Sequence, residues 1–473
     1  MFRIKQYLAI CLVSMMALSC KKSFLELAPI SNSNANNFYK TKEDFELGVN
    51  AAYATLYTMY APESGVSYAS EQMSDNATLY NVAGIQADRW AFKDYAVRPS
   101  NTELYRFWQE AYKSLFNVNI ILDKIEGANL DAAYKEGVVA EMKFLRALYY
   151  FNMVRMWGDL PLVTKPVSAE ESYSILRSPQ ADVYKLIVED LQYAASKLPL
   201  ASAVSAPGKA SKGAAQTLLG KVYLTLGNKT AATQVLQEVV SSNQYILLPH
   251  YGSLWGANVK NTKESIFEIQ YKGGAGNPWS RYWTSFAPTE NFSITQYGGG
   301  MNQVTDDLYN EYEASDIRRD TSIFTGYTNK SGTFVAIKFP KKWVDRNAPV
   351  QGTQELSNNN FMVLRYADVL LMLTEATDDP SYMNQVRARV GLPLFGTPGY
   401  PSAKYPTLQL ALEHERRVEL ALEFHRWFDL KRFNRALPVL TAKGKAVTQE
   451  KLLLPIPEIV RSQNPAVVQN PGY

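Results

Sequence analysis

The chain has 473 residues, 46 % of them apolar, and a formal net charge of +4. That size and apolar content suit a globular protein with a substantial core and exclude a disordered or fibrous chain. A near-neutral charge without a basic stripe argues against nucleic acid as a partner, and two cysteines cannot make a disulfide framework.

The N-terminus has the layout of an export signal. Arg3 and Lys5 precede an almost wholly apolar run at 7–18, which ends in Leu18-Ser19-Cys20. The run is shorter than the roughly 20 residues a membrane-spanning helix needs. Residues 1–19 are therefore expected to be a lipoprotein signal peptide, with Cys20 acylated as the first residue of the mature chain. Cys11 leaves with the signal, so Cys20 would have no disulfide partner, whereas two or more acyl chains there give lasting attachment to a membrane. Loss of Arg3 and Lys5 lowers the formal charge from +4 to +2. Residues 20–38 read as the lipidated N-terminus and a flexible tether, because Ser31-Asn32-Ser33-Asn34-Ala35-Asn36-Asn37 is polar and lacks any apolar period.

Residues 39–244 read as a helical-repeat part. Thr41 followed by Asp44 resembles a capping box, and Phe45, Val49, Ala52, Leu56 and Met59 recur at helical spacing. Further helices are predicted at 103–126, 135–157, 180–197, 211–226 and 229–241. The one at 135–157 carries two apolar stripes, which places it between neighbours. Within 211–241, Leu219-Gly220, Tyr223, Ala232 and Leu236 fall on the spacing of a tetratricopeptide repeat. Gly220 lets two helices approach closely, and Ala232 is the small residue they close upon. One such unit cannot bury its own faces, so 41–60 with 103–126, and 135–157 with 180–197, should be degenerate repeats stacked on it.

From 245 to 350 the helical period is lost. Glycines and tryptophans cluster, and Ser265-Ile266-Phe267-Glu268-Ile269-Gln270 alternates like a strand. This part is expected to be a loop-rich, aromatic insertion with small β elements. Residues 351–473 form a C-terminal helical part and tail, with helical pattern at 361–376 and 407–433.

Few motifs suggest chemistry. His250, His414 and His425 are not at metal-ligand spacing, and no cofactor motif is present. Residues 415–432 hold acids, arginines and a histidine. Arg416, Glu419, Glu423, Arg426, Asp429 and Arg432 stand three apart in successive pairs, however, as in an ion-pair ladder along a helix. Asp306-Asp307 and Asp378-Asp379 offer the acids a surface glycoside hydrolase would need, yet adjacent acids are commonplace at helix starts and turns. No catalytic residue is assigned.

For binding, Trp279, Arg281, Tyr282 and Trp283, with Tyr297 ahead of Gly298-Gly299-Gly300, form the leading candidate. Aromatic faces stack on the apolar faces of sugar rings, and glycines let a ligand approach the backbone. The same rings would equally serve to anchor a long loop to the core. A second candidate is Ser74-Asp75-Asn76 with Tyr80 and Trp90, whose amide and carboxylate suit hydroxyls but also suit Asx turns.

Several stretches together resemble the SusD/RagB family of outer-membrane nutrient-binding lipoproteins of Bacteroidetes. They are Phe24-Leu25-Glu26; Glu141, Phe144-Leu145-Arg146-Ala147 and Tyr150-Phe151 leading to Trp157-Gly158-Asp159 and Pro161; Leu364-Arg365-Tyr366-Ala367-Asp368-Val369-Leu370-Leu371; and Asn384-Gln385-Val386-Arg387-Ala388-Arg389-Val390-Gly391-Leu392-Pro393. The 415–432 segment, Leu454-Pro455-Ile456-Pro457 and Gln469-Asn470-Pro471-Gly472-Tyr473 complete the series. The resemblance implies a mainly α fold of four tetratricopeptide-like repeats with an irregular ligand-binding part. It implies a non-catalytic lipoprotein, facing outward from the outer membrane, that binds a glycan or, in the RagB branch, a peptide. It also implies a partner, a SusC-like TonB-dependent β-barrel transporter, and residues 39–473 as one compact unit. Three departures stand out. Lys21-Lys22 replaces the acids that often follow the cysteine, Phe424 occupies a position where the family usually has glycine, and the loop between Glu375 and Asn384 is short.

Overall fold

The computed structural model describes residues 38–79, 87–289, 295, 298–352 and 354–473. The signal peptide, Cys20 and nearly all of the tether lie outside the described residues, as do Tyr80 and Tyr297. The fold is mainly helical. Among the described residues no helix is long and apolar enough to cross a membrane.

Helices begin where the sequence supplies caps. In α1 (Lys42–Ala54) the Thr41 hydroxyl accepts from the Asp44 amide, while the Asp44 carboxylate accepts from the Thr41 amide at 2.9 Å. Each group satisfies a donor that the first helical turn leaves unpaired. Asn101 and Asp131 cap α2 (Thr102–Glu126) and α3 (Ala132–Trp157) through their side chains. At the end of α3, Gly158 turns the chain at φ +71, a conformation that side chains other than glycine's rarely adopt. α4 (Gln180–Lys197), α5 (Lys212–Thr225) and α6 (Lys229–Ser241) follow. Both stripes of α3 are buried, Val138, Met142, Leu145 and Tyr149 on one and Phe144, Leu148 and Phe151 on the other. The helix accordingly lies between α2 and α4.

α5 and α6 pack so closely that a Cβ on Gly220 would stand 2.5 Å from the Leu236 side chain. Leu236 is thus the residue seated over Gly220, and Ala232 is buried one turn earlier. α1 with α2, α3 with α4, and α5 with α6 stack as successive pairs. A further pair, α8 (Tyr366–Thr377) with α9 (Pro380–Arg389), continues the stack against α6. Asp378 takes a left-handed conformation at the end of α8, and Asp379 caps α9 ahead of Pro380. These adjacent acids therefore serve as a turn. Asp306 and Asp307 likewise open a short helix, Asp306–Glu311.

Two C-terminal expectations need correction. The helical pattern from 361 starts instead as a strand: β2 (Phe361–Arg365) pairs antiparallel with β1 (Ser265–Ile269), with Phe361 opposite Ile269. A short, continuous apolar run fits a buried strand as well as a helix. Pairing with β1, which lies a hundred residues away, settles the matter. The strand pair also ties the loop-rich part to the C-terminal helices.

The second correction concerns residues 407–433. Here α10 (Leu408–Glu419) ends, the chain turns through Leu422 and Phe424 at φ +69 and +68, and α11 (Arg426–Arg432) begins. With the helix broken, only the Asp429–Arg432 rung of the ladder forms at helical spacing. The other charges are buried and reach across the fold. Glu419 takes Arg318, Arg365 and Arg389; Glu423 takes Arg365 and Lys342; and Arg416 joins Asp368 to Asp429. One continuous apolar cluster extends from Phe45 to Val467 around this network.

Candidate functional site

The leading sequence candidate folds into a short helix, α7 (Tyr282–Phe286), and the turn before it. The chain reaches α7 through a bridge in which the Ser280 amide donates to the Ser357 carbonyl at 2.8 Å. The helical period of about 3.6 residues then turns one face of this segment inward and leaves the other outward. Tyr282, Trp283 and Phe286 are buried, while Arg281 and Thr284 face outward with half-buried Trp279 ahead of them. The aromatic cluster therefore divides.

Tyr282 and Trp283 are not stacking platforms for a ligand. Tyr282 is fully buried, lies 5.0 Å from Phe361 and 5.5 Å from Trp343 in stacked geometry, and donates its hydroxyl to the Tyr60 carbonyl. Burial pushes its pKa well above the ordinary tyrosine value. Trp283 packs into a satellite core with Ala287, Tyr327 and Phe339. These two rings anchor the loop, which was the other reading the sequence left open.

Trp279 and Arg281 do share a cleft. It encloses about 230 Å³ and is lined by Trp279, Arg281 and Thr284 together with Gly298, Gly299 and Gln354. Gln354 comes from a tight hairpin in which Val350–Gln351 pairs with Gln354–Glu355. Glu63 joins them from the loop that follows the first helices. It accepts from the Ser285 hydroxyl and pairs with Arg281 at 2.8 Å. The Glu63 side chain is 12 % exposed and that of Arg281 47 %, so the carboxylate is the deeper partner. Glu355, a buried lining residue, accepts from the Thr295 hydroxyl at 2.5 Å.

The glycine run contributes differently from the sequence expectation. A Cβ on Gly298 would sit 1.5 Å from the Pro288 carbonyl oxygen, and one on Gly299 would sit 2.7 Å from that of Ser285. The chain's own backbone fills the space the glycines leave. Gly299 and Met301 donate to Thr284 and Ser285 at 2.7 and 2.9 Å, which fixes this wall against α7.

The second candidate is interior. Asp75 is 2 % exposed and is held by Arg426 at 2.8 Å, Arg417 at 3.1 Å and Lys443 at 2.6 Å. Burial raises its pKa, but those cations outweigh burial and hold it well below the usual carboxylate range. The Asn76 side-chain oxygen accepts from Arg417 at 2.9 Å. Neither side chain reaches the cleft, because both are committed to the network under α10 and α11. Trp90 lies half-buried on the short helix Ala87–Lys93, packed against the main core, and does not line the cleft. Glu63, Thr284, Ser285 and Gln354 join the site without any sequence signal.

A larger groove of about 330 Å³ runs beside α2, lined by Tyr105, Trp108, Tyr112, Phe116, Val167 and Val467. Its lining is predominantly apolar. A polyhydroxylated ligand needs donors and acceptors converging beside an apolar face, and of these two sites the Trp279 cleft supplies a carboxylate, a guanidinium, hydroxyls and an amide around one indole.

Comparison with known proteins agrees with this architecture. Residues 324–473 match the model of the SusD family, and residues 23–224 match the family described as starch-binding associating with outer membrane. The chain is 29 % identical to SusD-like protein P2 of Formosa agariphila, over 95 % of this chain and 96 % of that one. Among solved structures it is similar to a laminarin binding SusD-like protein, with TM-score 0.80, 29 % identity, and coverage of 92 % of this chain and 100 % of the other. A SusD superfamily protein from Parabacteroides distasonis aligns with TM-score 0.77 at 27 % identity, covering 91 % of this chain and 99 % of that one. Stacked helix pairs, an irregular aromatic part joined to them by β1 and β2, and family matches at both ends of the chain converge: this protein belongs to the SusD/RagB family.

Proposed function

We propose that this protein is a non-catalytic lipoprotein of the outer membrane that captures a glycan in the Trp279 cleft and passes it to a SusC-like TonB-dependent transporter. The observation that carries the reading is the convergence of a half-buried indole with Glu63, Arg281, Thr284 and Gln354. An indole offers a flat apolar surface to a sugar ring, and the polar groups can donate to and accept from its hydroxyls. Laminarin binding by a relative 29 % identical over most of both chains supports a glucan as the first ligand to try. The family description, starch-binding associating with outer membrane, supports the location, and Cys20 is the residue through which a lipid would hold the chain there.

Titration calorimetry with laminarin tests the binding step. The mature chain should bind, and Trp279→Ala should weaken binding at least tenfold with an unchanged melting temperature. Equal affinity in the variant would remove the cleft from the reading. For delivery, a tagged chain should retain a β-barrel transporter from detergent-solubilised outer membranes. Recovery of the chain without a barrel would count against the partner.

A further inference from the structure

The charge pattern of the cleft points to more than a generic sugar. We infer that the site selects a neutral glycan and discriminates against uronic-acid or sulfated chains; this rests on the glycan-binding reading above and deepens it. Anionic glycans are normally held by free arginines, whose guanidinium matches a carboxylate or sulfate with paired hydrogen bonds. Arg281 is not free for that task. Its guanidinium is 2.8 Å from Glu63, and Glu63 is the more buried of the two. A ligand carboxylate placed on Arg281 would stand close to a fixed carboxylate of the same sign.

Nothing else among the described lining residues compensates. Arg281 is the single cation there, against Glu63 and Glu355. A neutral polyol meets a different surface. The exposed edge of Arg281 donates to hydroxyls, and Thr284 and Gln354 donate or accept. The ion pair thus presents a donor edge whose charge Glu63 already balances, which suits a hydroxyl and gives an anion no net attraction. An anion would lose its hydration shell at the cleft without a net countercharge to replace it.

Three ligands on one backbone separate charge from shape: laminarin, laminarin with its primary hydroxyls oxidised to carboxylates, and the methyl ester of that oxidised glucan. Calorimetry on the full mature chain should show at least tenfold weaker binding of the acid than of laminarin. The neutral ester should regain most of the loss, and added salt should narrow the gap. Glu63→Gln, which releases Arg281, should reduce the preference severalfold. Arg281→Gln changes a half-exposed side chain and serves as the second variant; it should widen the gap by leaving Glu63 alone. Equal binding of acid and laminarin, or an ester as weak as the acid, would overturn the inference while leaving a glycan site in place. Failure of all three to bind a folded protein would instead remove the glycan reading, and the inference with it.

Discussion

Asp75→Asn separates a structural role from a ligand role at a residue whose sequence context suggests either. The carboxylate is 2 % exposed and takes two nitrogens of Arg426 at 2.8 and 3.0 Å, with Arg417 and Lys443 close by. Asparagine keeps the shape but removes the charge, and it turns an amide donor toward guanidinium donors. Removing one partner from a buried ion pair costs about 3–5 kcal/mol. The lower end applies here, because Lys443 is 28 % exposed and Arg417 retains Asp307 and Asn76. A loss of about 3 kcal/mol in a chain of roughly 450 residues, at ~2.1 cal/mol/K per residue, lowers the Tm by about 3 °C. Calorimetric melts at pH 7 should show this, with laminarin affinity unchanged at temperatures where the variant is folded. The pH dependence follows from the lowered pKa. A carboxylate depressed in the folded state contributes stability that is fully present above its unfolded value, about 3.9, and is lost as pH falls through the folded value. The deficit of the variant should therefore be constant from pH 5 to 7 and shrink below pH 4. An unchanged melt combined with lost glycan binding would show that Asp75 serves the ligand and that the network assignment is wrong.

Three further outcomes follow from individual contacts. Gly220→Val forces a side chain against Leu236, where a Cβ alone would be 2.5 Å away, and should cost about 1–3 kcal/mol in urea melts; adding Leu236→Ala should recover part of it, whereas additive losses would contradict the close approach of α5 and α6. Phe424 holds a left-handed backbone at φ +68 while its ring packs on Phe361, so Phe424→Ala should lose about 3–5 kcal/mol, and Phe424→Gly should be less harmful than the alanine variant by about 1 kcal/mol; the usual order, alanine milder than glycine, would refute the strain. Glu71 is fully buried and accepts from the Phe424 amide at 2.8 Å, and burial raises its pKa to about 8 despite that bond. A carboxyl raised in this way contributes stability present below its unfolded value and lost as pH rises through about 8. Glu71→Gln should therefore raise the Tm most at pH 9 and least at pH 5, and a uniform shift would contradict the assignment.

The helical stack was legible because its signals are local. Caps, apolar stripes and the Gly220 contact each involve residues within one or two turns or one helix pair, and α4 and α6 match their predicted limits. The misreadings share the opposite property. β2 is a strand because Ser265–Ile269 lies beside it, and no periodicity within Phe361–Arg365 records that. Residues 415–432 have charge spacing fit for a solvated helix, yet the chain breaks at 420–425 and Glu419 and Glu423 turn to Arg318, Arg365, Arg389 and Lys342. A one-dimensional pattern cannot tell a surface ladder from a buried network, since both place acids and arginines at similar intervals. The departure at Phe424 carried a hint. The resemblance to the family implies glycine there, hence a permissive backbone, and the φ of +68 lies inside what the sequence presents as an uninterrupted helix.

The site shows the same division at a finer scale. Composition drew attention to the segment that contributes Trp279 and Arg281 to the cleft, because Trp279, Arg281, Tyr282 and Trp283 are contiguous and rich in the chemistry a sugar needs. Orientation it left open, and within five residues the helical turn of α7 points two rings into the core while Trp279 and Arg281 meet the cleft. The carboxylate that pairs with Arg281, Glu63, bonds to Ser285 across a separation of 222 residues and lies in a loop with no motif of its own. Its position depends on the N-terminal helices packing against the irregular part, so its role exists only in the folded chain. Specificity in such a site is therefore set by the partner of a residue more than by its type. Read alone, Arg281 suggests an acidic ligand; read with Glu63 beneath it, the same arginine argues for a neutral one.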